Sequence, residues 1–267
     1  MERESQGGSD YGRDLERDLG DEPPGAIRDA APDYLGPIDA EAPVSGHVVP
    51  ANDRPVSLAE APEHDWGAAS RVLFPTLRPV GTTGTWIQDF DPDALVGAPH
   101  GQTQPLLEPG PSGIPVAFAI SAGGFDVIVN PEHLMSWGVQ PGDVHEAAFR
   151  NLAAWASTAA WTDEVSGDRR LLSSDTGDGW DAARILLPET REHLARELAS
   201  TGRVLVAIPE RHLLIAGTLR PGDDEFASLF ADFVLEHSGG ADEPVDRRVF
   251  ELVDGELIVF GGVAAQG

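Results

Sequence analysis

Beyond about residue 65, apolar and polar positions fall into short repeating patterns that predict alternating strands and helices. Ile114–Ser121 and Phe125–Asn130 are β-rich runs joined by Ala122-Gly123-Gly124, which predicts a hairpin. Pro131–Trp137 supplies one helical turn. Pro141 opens a half-buried helix, because Val144, Ala148, Leu152, Trp155 and Ala159 recur at near-helical spacing. Another helical stretch starts near Asp181 and runs through Ile185 and Leu186. Pro188 then begins a fresh helix carrying Thr190–Leu198, since proline fits a first turn and not an interior. Val204–Ile208 and Leu213–Ala216 read as strands linked by Pro209-Glu210-Arg211-His212. The cleanest amphipathic helix follows, with Phe226, Leu229, Phe230, Phe233 and Val234 on one stripe, and Asp223 and Asp224 favouring its N-terminus. Val249–Val253 and Glu256–Phe260 flank Asp254-Gly255, a type I′ hairpin signal. Tight turns between neighbouring strands favour antiparallel pairing over a doubly wound sheet. The expected fold class is α+β, antiparallel hairpins alternating with amphipathic helices over residues 66–267, in one body or two lobes.

Residues 1–65 lack such a pattern. They hold 16 acidic and 5 basic residues, and Glu22-Pro23-Pro24 and Ala31-Pro32 block helix. So little apolar surface cannot offset an ordering entropy of ~1–2 kcal/mol per residue, so a disordered acidic tail is expected, with a short helix at Tyr11–Leu19 capped by Asp10.

Composition narrows the chemistry. Of 267 residues, 45 are acidic and 18 basic, a net charge of −27; every basic residue is Arg, and Cys is absent. Without Lys there is no phosphate-loop lysine and no Schiff base; without Cys there is no thiol nucleophile, disulfide or thiolate-bound metal. No cofactor or metal is called for. The charge argues against a nucleic-acid partner and against anionic membrane surfaces. Met1–Ser5 is charged with no apolar run behind it, and Gly113–Ile120 and Leu257–Ala265 are too short to span a bilayer, so a cytoplasmic location is expected.

Several constellations invite a chemical reading. Gly177-x-Gly179-x-x-Ala182 mimics a dinucleotide fingerprint, but Asp175, Asp178 and Asp181 would crowd the pyrophosphate. The same carboxylates suggest calcium, yet a loop beginning at Asp175 needs Glu at its twelfth position and has Leu186; capping of the next helix by Asp178 or Asp181 is the simpler expectation. His145-Glu146 opens a zinc-protease motif that fails at Phe149, leaving His145 a helix-surface residue. Asp89, Asp91 and Asp93 alternate in what reads as a solvated loop. No Gly-x-Ser-x-Gly elbow occurs. Arg211 and His212 place a guanidinium and an imidazole at the tip of an apolar hairpin, able to grip a carboxylate or phosphate or to pair internally. Trp155 and Trp161 are expected in the core; Trp180, beside Gly179, could stand at a binding edge, but core or satellite packing is the stronger expectation.

Taken together, Phe118–Trp137, His145–Leu152, Gly179–Leu187, the strand Val204–Ile208 ending in Pro209-x-Arg211, and the Asp254-Gly255 hairpin resemble the bacterial YtpQ-like family. The similarity covers about residues 70 to 262. This chain has His212 where the family pattern has Asp, which weakens an Arg–carboxylate pair at that turn. The family is one of unknown function, so the resemblance implies α+β architecture and carries over no catalytic residues. The functional expectation is a non-enzymatic binding protein with a protein or peptide partner of cationic character. The rival is a hydrolase or transferase with an Asp/His/Arg site where the Arg211-His212 turn meets Asp178, Trp180 and Asp181.

Overall fold

A hairpin forms at each described position where the pattern sets a tight turn between apolar runs. The computed structural model describes residues 61–95, 103–122, 125–167, 169–200 and 202–261. The chain divides into units 1–53 and 54–267, and every described residue belongs to the second. The expected Tyr11–Leu19 helix, most of the expected tail and the Gly123-Gly124 turn lie outside the described residues. Residues 61–65 are ordered into the body: Pro62–His64 form a 3-10 turn, and the Glu63 carbonyl accepts from Trp137 Nε1 at 2.8 Å.

The fold is α+β. One sheet contains β1 (Leu73–Leu77), β2 (Thr85–Trp86), β3 (Leu106–Pro109), β4 (Pro115–Ser121) and β5 (Asp126–Ile128). β4 is its spine: β1 pairs along one side, while β3 and β5 follow one another along the other. β2 pairs with β3 in parallel, the one departure from antiparallel order among the described strands. The second sheet holds β6 (Thr162–Ser166), β7 (Arg169–Ser174), β8 (Arg203–Glu210), β9 (Leu213–Leu219), β10 (Val249–Val253) and β11 (Glu256–Val259), all antiparallel, in the order β11-β10-β8-β9-β7-β6.

Six helices accompany the sheets among the described residues: α1 (Trp66–Ala69), α2 (Pro92–Leu95), α3 (Pro131–Trp137), α4 (Pro141–Ala156), α5 (Pro188–Leu198) and α6 (Asp224–Gly240). On β8, Val204, Val206 and Ile208 share a core with Leu194 and Leu198 of α5, whereas Leu205 and Ala207 share another with Phe226, Phe230 and Val234 of α6. Both faces are covered, so this strand reads as a continuous apolar run without polar alternation. Val144, Ala147 and Ala148 of α4 pack with Leu73, Phe118 and Ile120 of the first sheet. None of the described helices is long and apolar enough to cross a membrane.

Four local expectations need correction. α4 ends at Ala156, and Ala159 lies in the following turn, whose backbone N–H still reaches the Trp155 carbonyl. The stretch after Asp181 is a 3-10 helix, Ala182–Leu186, ended by the extended backbone of Leu187 before Pro188. Pro209 and Glu210 belong to β8, so the turn shrinks to Arg211-His212. Of the stripe on α6, Phe226, Phe230 and Val234 are buried but Leu229 is 54% exposed. The last hairpin turns as expected, with Asp254 and Gly255 at φ 51° and 82°.

The N-terminus of α3 is closed by a reciprocal cap: Asn130 Oδ1 accepts from the His133 N–H (3.1 Å), and the Asn130 N–H donates to His133 Nδ1 (3.2 Å). Only a neutral imidazole can accept that bond, and burial pulls the His133 pKa below its ordinary value of 6.5. A base with a depressed folded pKa contributes stability above 6.5 that is lost as pH falls below it. Urea midpoints at neutral and mildly acidic pH should therefore show an acid-side loss that His133→Gln, which accepts without titrating, diminishes.

Candidate functional site

Four of the five residues singled out in the sequence, Asp178, Trp180, Arg211 and His212, line one cavity of about 510 Å³. The turn after β8 brings in Arg211 and His212, and the loop after β7 brings in Asp178 and Trp180. Arg78, Ser121 and Asp126 from the first sheet, with Glu243 beyond α6, complete the walls.

Arg211 is the cross-piece of this site. Its Nε donates to the Gly179 carbonyl (3.0 Å), Nη1 to Glu243 (3.2 Å) and Nη2 to Asp126. The guanidinium lies 4.7 Å over Trp180, which stacks on Phe74 at 4.4 Å. Gly179 has φ 83°, and a Cβ there would sit 3.3 Å from His212 Cε1 and 3.4 Å from Arg211, so the glycine serves this packing and no phosphate loop. Arg211 is thus a partly buried clamp, with its side chain 15% exposed. Trp180 is 6% exposed, in keeping with the core packing expected of it rather than with a binding edge. His212 stands 3.5 Å from Glu243 through Nε2.

The fifth residue, Asp181, faces elsewhere. It is fully buried and caps no helix; it accepts from Ser174 Oγ (2.6 Å), the Thr176 N–H (3.1 Å) and Thr176 Oγ1 (3.0 Å). Ser174 Oγ in turn accepts from Arg184 Nη1 at 2.7 Å. Arg184, only 2% exposed, also donates to the carbonyls of Ala160 (3.1 Å), Ala156 and Ala159 (both 3.2 Å) at the end of α4, and lies 4.0 Å over Trp161. Burial pulls its pKa down to about 10, against the opposing pull of Asp181.

Asp178 also caps nothing and instead accepts from Trp155 Nε1 at 2.9 Å. Asp175, Asp178 and Asp181 do not converge, and no group of three or more His, Asp or Glu residues suited to a metal occurs among the described residues. His145 stands on α4 but pairs with Glu108 of β3 at 2.8 Å, while burial pushes the Glu108 carboxyl up. Asp89, Asp91 and Asp93 are exposed, and Asp91 accepts from the Asp93 N–H at the start of α2.

A second concavity, of about 870 Å³, runs between α6 and the outer strands β7 and β6. Leu171, Leu213 and Ile215 form its floor, and Leu229, Phe230 and Phe233 its helical wall. Glu164 and Asp175 sit on the rim, and Arg169 there is already engaged by Asp223 (2.8 Å) and Glu225 (3.2 Å). Six strands about 4.8 Å apart are far wider than one helix about 10 Å across, and α6 packs along β8, leaving the face of β7 and β6 uncovered. β6, the outer border of this concavity, is exposed at all five positions and so leaves no alternation in the sequence. The surplus of apolar residues on α6 was the one signal of the concavity.

No family model, no curated protein and no solved structure matches this chain. The resemblance to the YtpQ-like family rests on the sequence motifs alone.

Removing one partner of a buried ionic network leaves the others uncompensated. Arg184→Met should cost about 3–5 kcal/mol in urea denaturation, and Asp181→Asn with Arg184→Met should cost less than the sum of the single changes. Arg211→Gln should lower stability by about 3 kcal/mol, and Arg211→Lys should restore little of it, because a point charge cannot hold three divergent acceptors.

Proposed function

We propose that this chain is a binding protein whose partner inserts a basic amphipathic helix into the groove between α6 and β7. The observation that carries the reading is an apolar concavity of about 870 Å³ along α6, bordered by Glu164 and Asp175, neither of which forms an ion pair among the described residues. Leu229 and Val165, 54% and 68% exposed, stand at its margins, and burying a side chain of that size contributes about 1.5–3 kcal/mol. Asp232 and Glu236 extend the acidic border along the exposed side of α6. A net charge of −27 steers a cationic segment inward and disfavours nucleic acid or an anionic membrane. The rival reading, a hydrolase or transferase with an Asp/His/Arg site, draws on the convergence of Asp178, Arg211 and His212 in one cavity. Arg211 directs its donors at groups of its own chain, so the groove supports the stronger proposal.

A fluorescein-labelled Leu/Lys amphipathic helix, titrated by anisotropy into the full chain, should bind and weaken as salt rises. Leu229→Glu, a change at an exposed site, should reduce affinity at least about tenfold with an unchanged unfolding midpoint. Equal binding by that variant, or by a scrambled Leu/Lys peptide without an apolar face, would overturn the proposal.

A further inference from the structure

The Arg211 cavity contains a cation that this chain leaves unmatched. Arg78 follows directly on β1 and lines the cavity, and its guanidinium makes no ion pair or hydrogen bond with the described residues. Its Nε is out of reach of solvent and so of any ligand, which leaves the two terminal amino groups of the Arg78 fork for an acceptor from outside the chain. Arg211, in contrast, is saturated: Asp126 and Glu243 together outweigh its charge. Asp178, exposed on the loop, uses one oxygen to accept from Trp155 and offers the other. The cavity therefore presents one free guanidinium together with surplus negative charge. A simple anion would satisfy Arg78 but meet Asp126, Asp178 and Glu243; a simple cation would leave Arg78 orphaned.

We infer that this cavity binds a small zwitterion of amino-acid type, its carboxylate held by the Arg78 fork and its ammonium facing Asp178 and Glu243. About 510 Å³ accommodates such a molecule together with ordered water. This site is independent of the groove beside α6.

Thermal-shift and isothermal titration measurements on the full chain, using glycine, L-alanine, L-lysine and L-glutamate against acetate and methylammonium, test it. At least one amino acid should raise the unfolding midpoint and bind at least about tenfold more tightly than either singly charged probe. Arg78→Gln and, separately, Asp178→Asn should each weaken that binding about tenfold or more while leaving the unliganded midpoint in place, and Leu229→Glu should leave it unchanged. Arg78→Lys, which keeps the charge without the fork, guards against misfolding of the Gln variant and should weaken binding less. Acetate binding as tightly as the amino acids would make this a plain anion site and overturn the inference. So would binding that ignores Arg78, or no binding by any of the four amino acids.

Discussion

Arg184 is the constraint on which the arrangement of the two sheets depends. A guanidinium buried this deeply cannot be solvated, so its donors need acceptors inside the protein; Nη1 and Nη2 find four, and Nε finds none among the described residues. Three are carbonyls, that of Ala156 at the end of α4, where the aligned peptide dipoles favour a positive charge, and those of Ala159 and Ala160 in the turn beyond it. The fourth is Ser174 at the end of β7, which passes a hydrogen bond to Asp181. α4 packs on the first sheet and β7 belongs to the second, so one side chain fixes the distance between them. Trp180 and the Gly177–Gly179 turns owe their position to Asp181, the next residue along, and the cavity lined by that loop follows from it.

Arg211 repeats the same principle nearer the surface. It reaches Asp126 in the first sheet, Gly179 in the loop and Glu243 beyond α6. Each of these two arginines uses a planar fork of donors to hold several directions at once, which an ammonium on a flexible stem does poorly. In a chain without Lys, the internal ties of the fold fall to guanidinium groups, and an excess of carboxylates ensures that acceptors are near at hand.

What the sequence made legible was local. The Asp254-Gly255 turn and the apolar runs of β4, β8 and β9 announce themselves through the residues that build them. β1 and β3 did not, because Pro75 and Pro109 interrupt them; Pro75 is tolerated on β1 because that strand lies at a sheet edge. β6 had no alternation to read. The interest of Arg211 was visible as a guanidinium in an apolar hairpin, but its meaning was not: Asp126 is 85 residues away and Glu243 is 32, separations that only tertiary structure closes. Asp181 looked like a helix cap because it precedes an apolar helical stretch, and burial beside Ser174 and Thr176 gave it a different task. Arg78, between Leu77 and Pro79, offered no pattern at all.

β6 closes one border of the second sheet with its outer backbone groups open, the arrangement through which strands of separate molecules zip together. Glu164 lies along that border beside Asp163, which Arg170 holds, and a second molecule approaching edge to edge would bring the same acidic residues against them. The repulsion acts between like chains and leaves a basic segment free to approach. A border charged in this way makes edge-to-edge pairing of like chains costlier than a neutral border would, without closing the groove beside it.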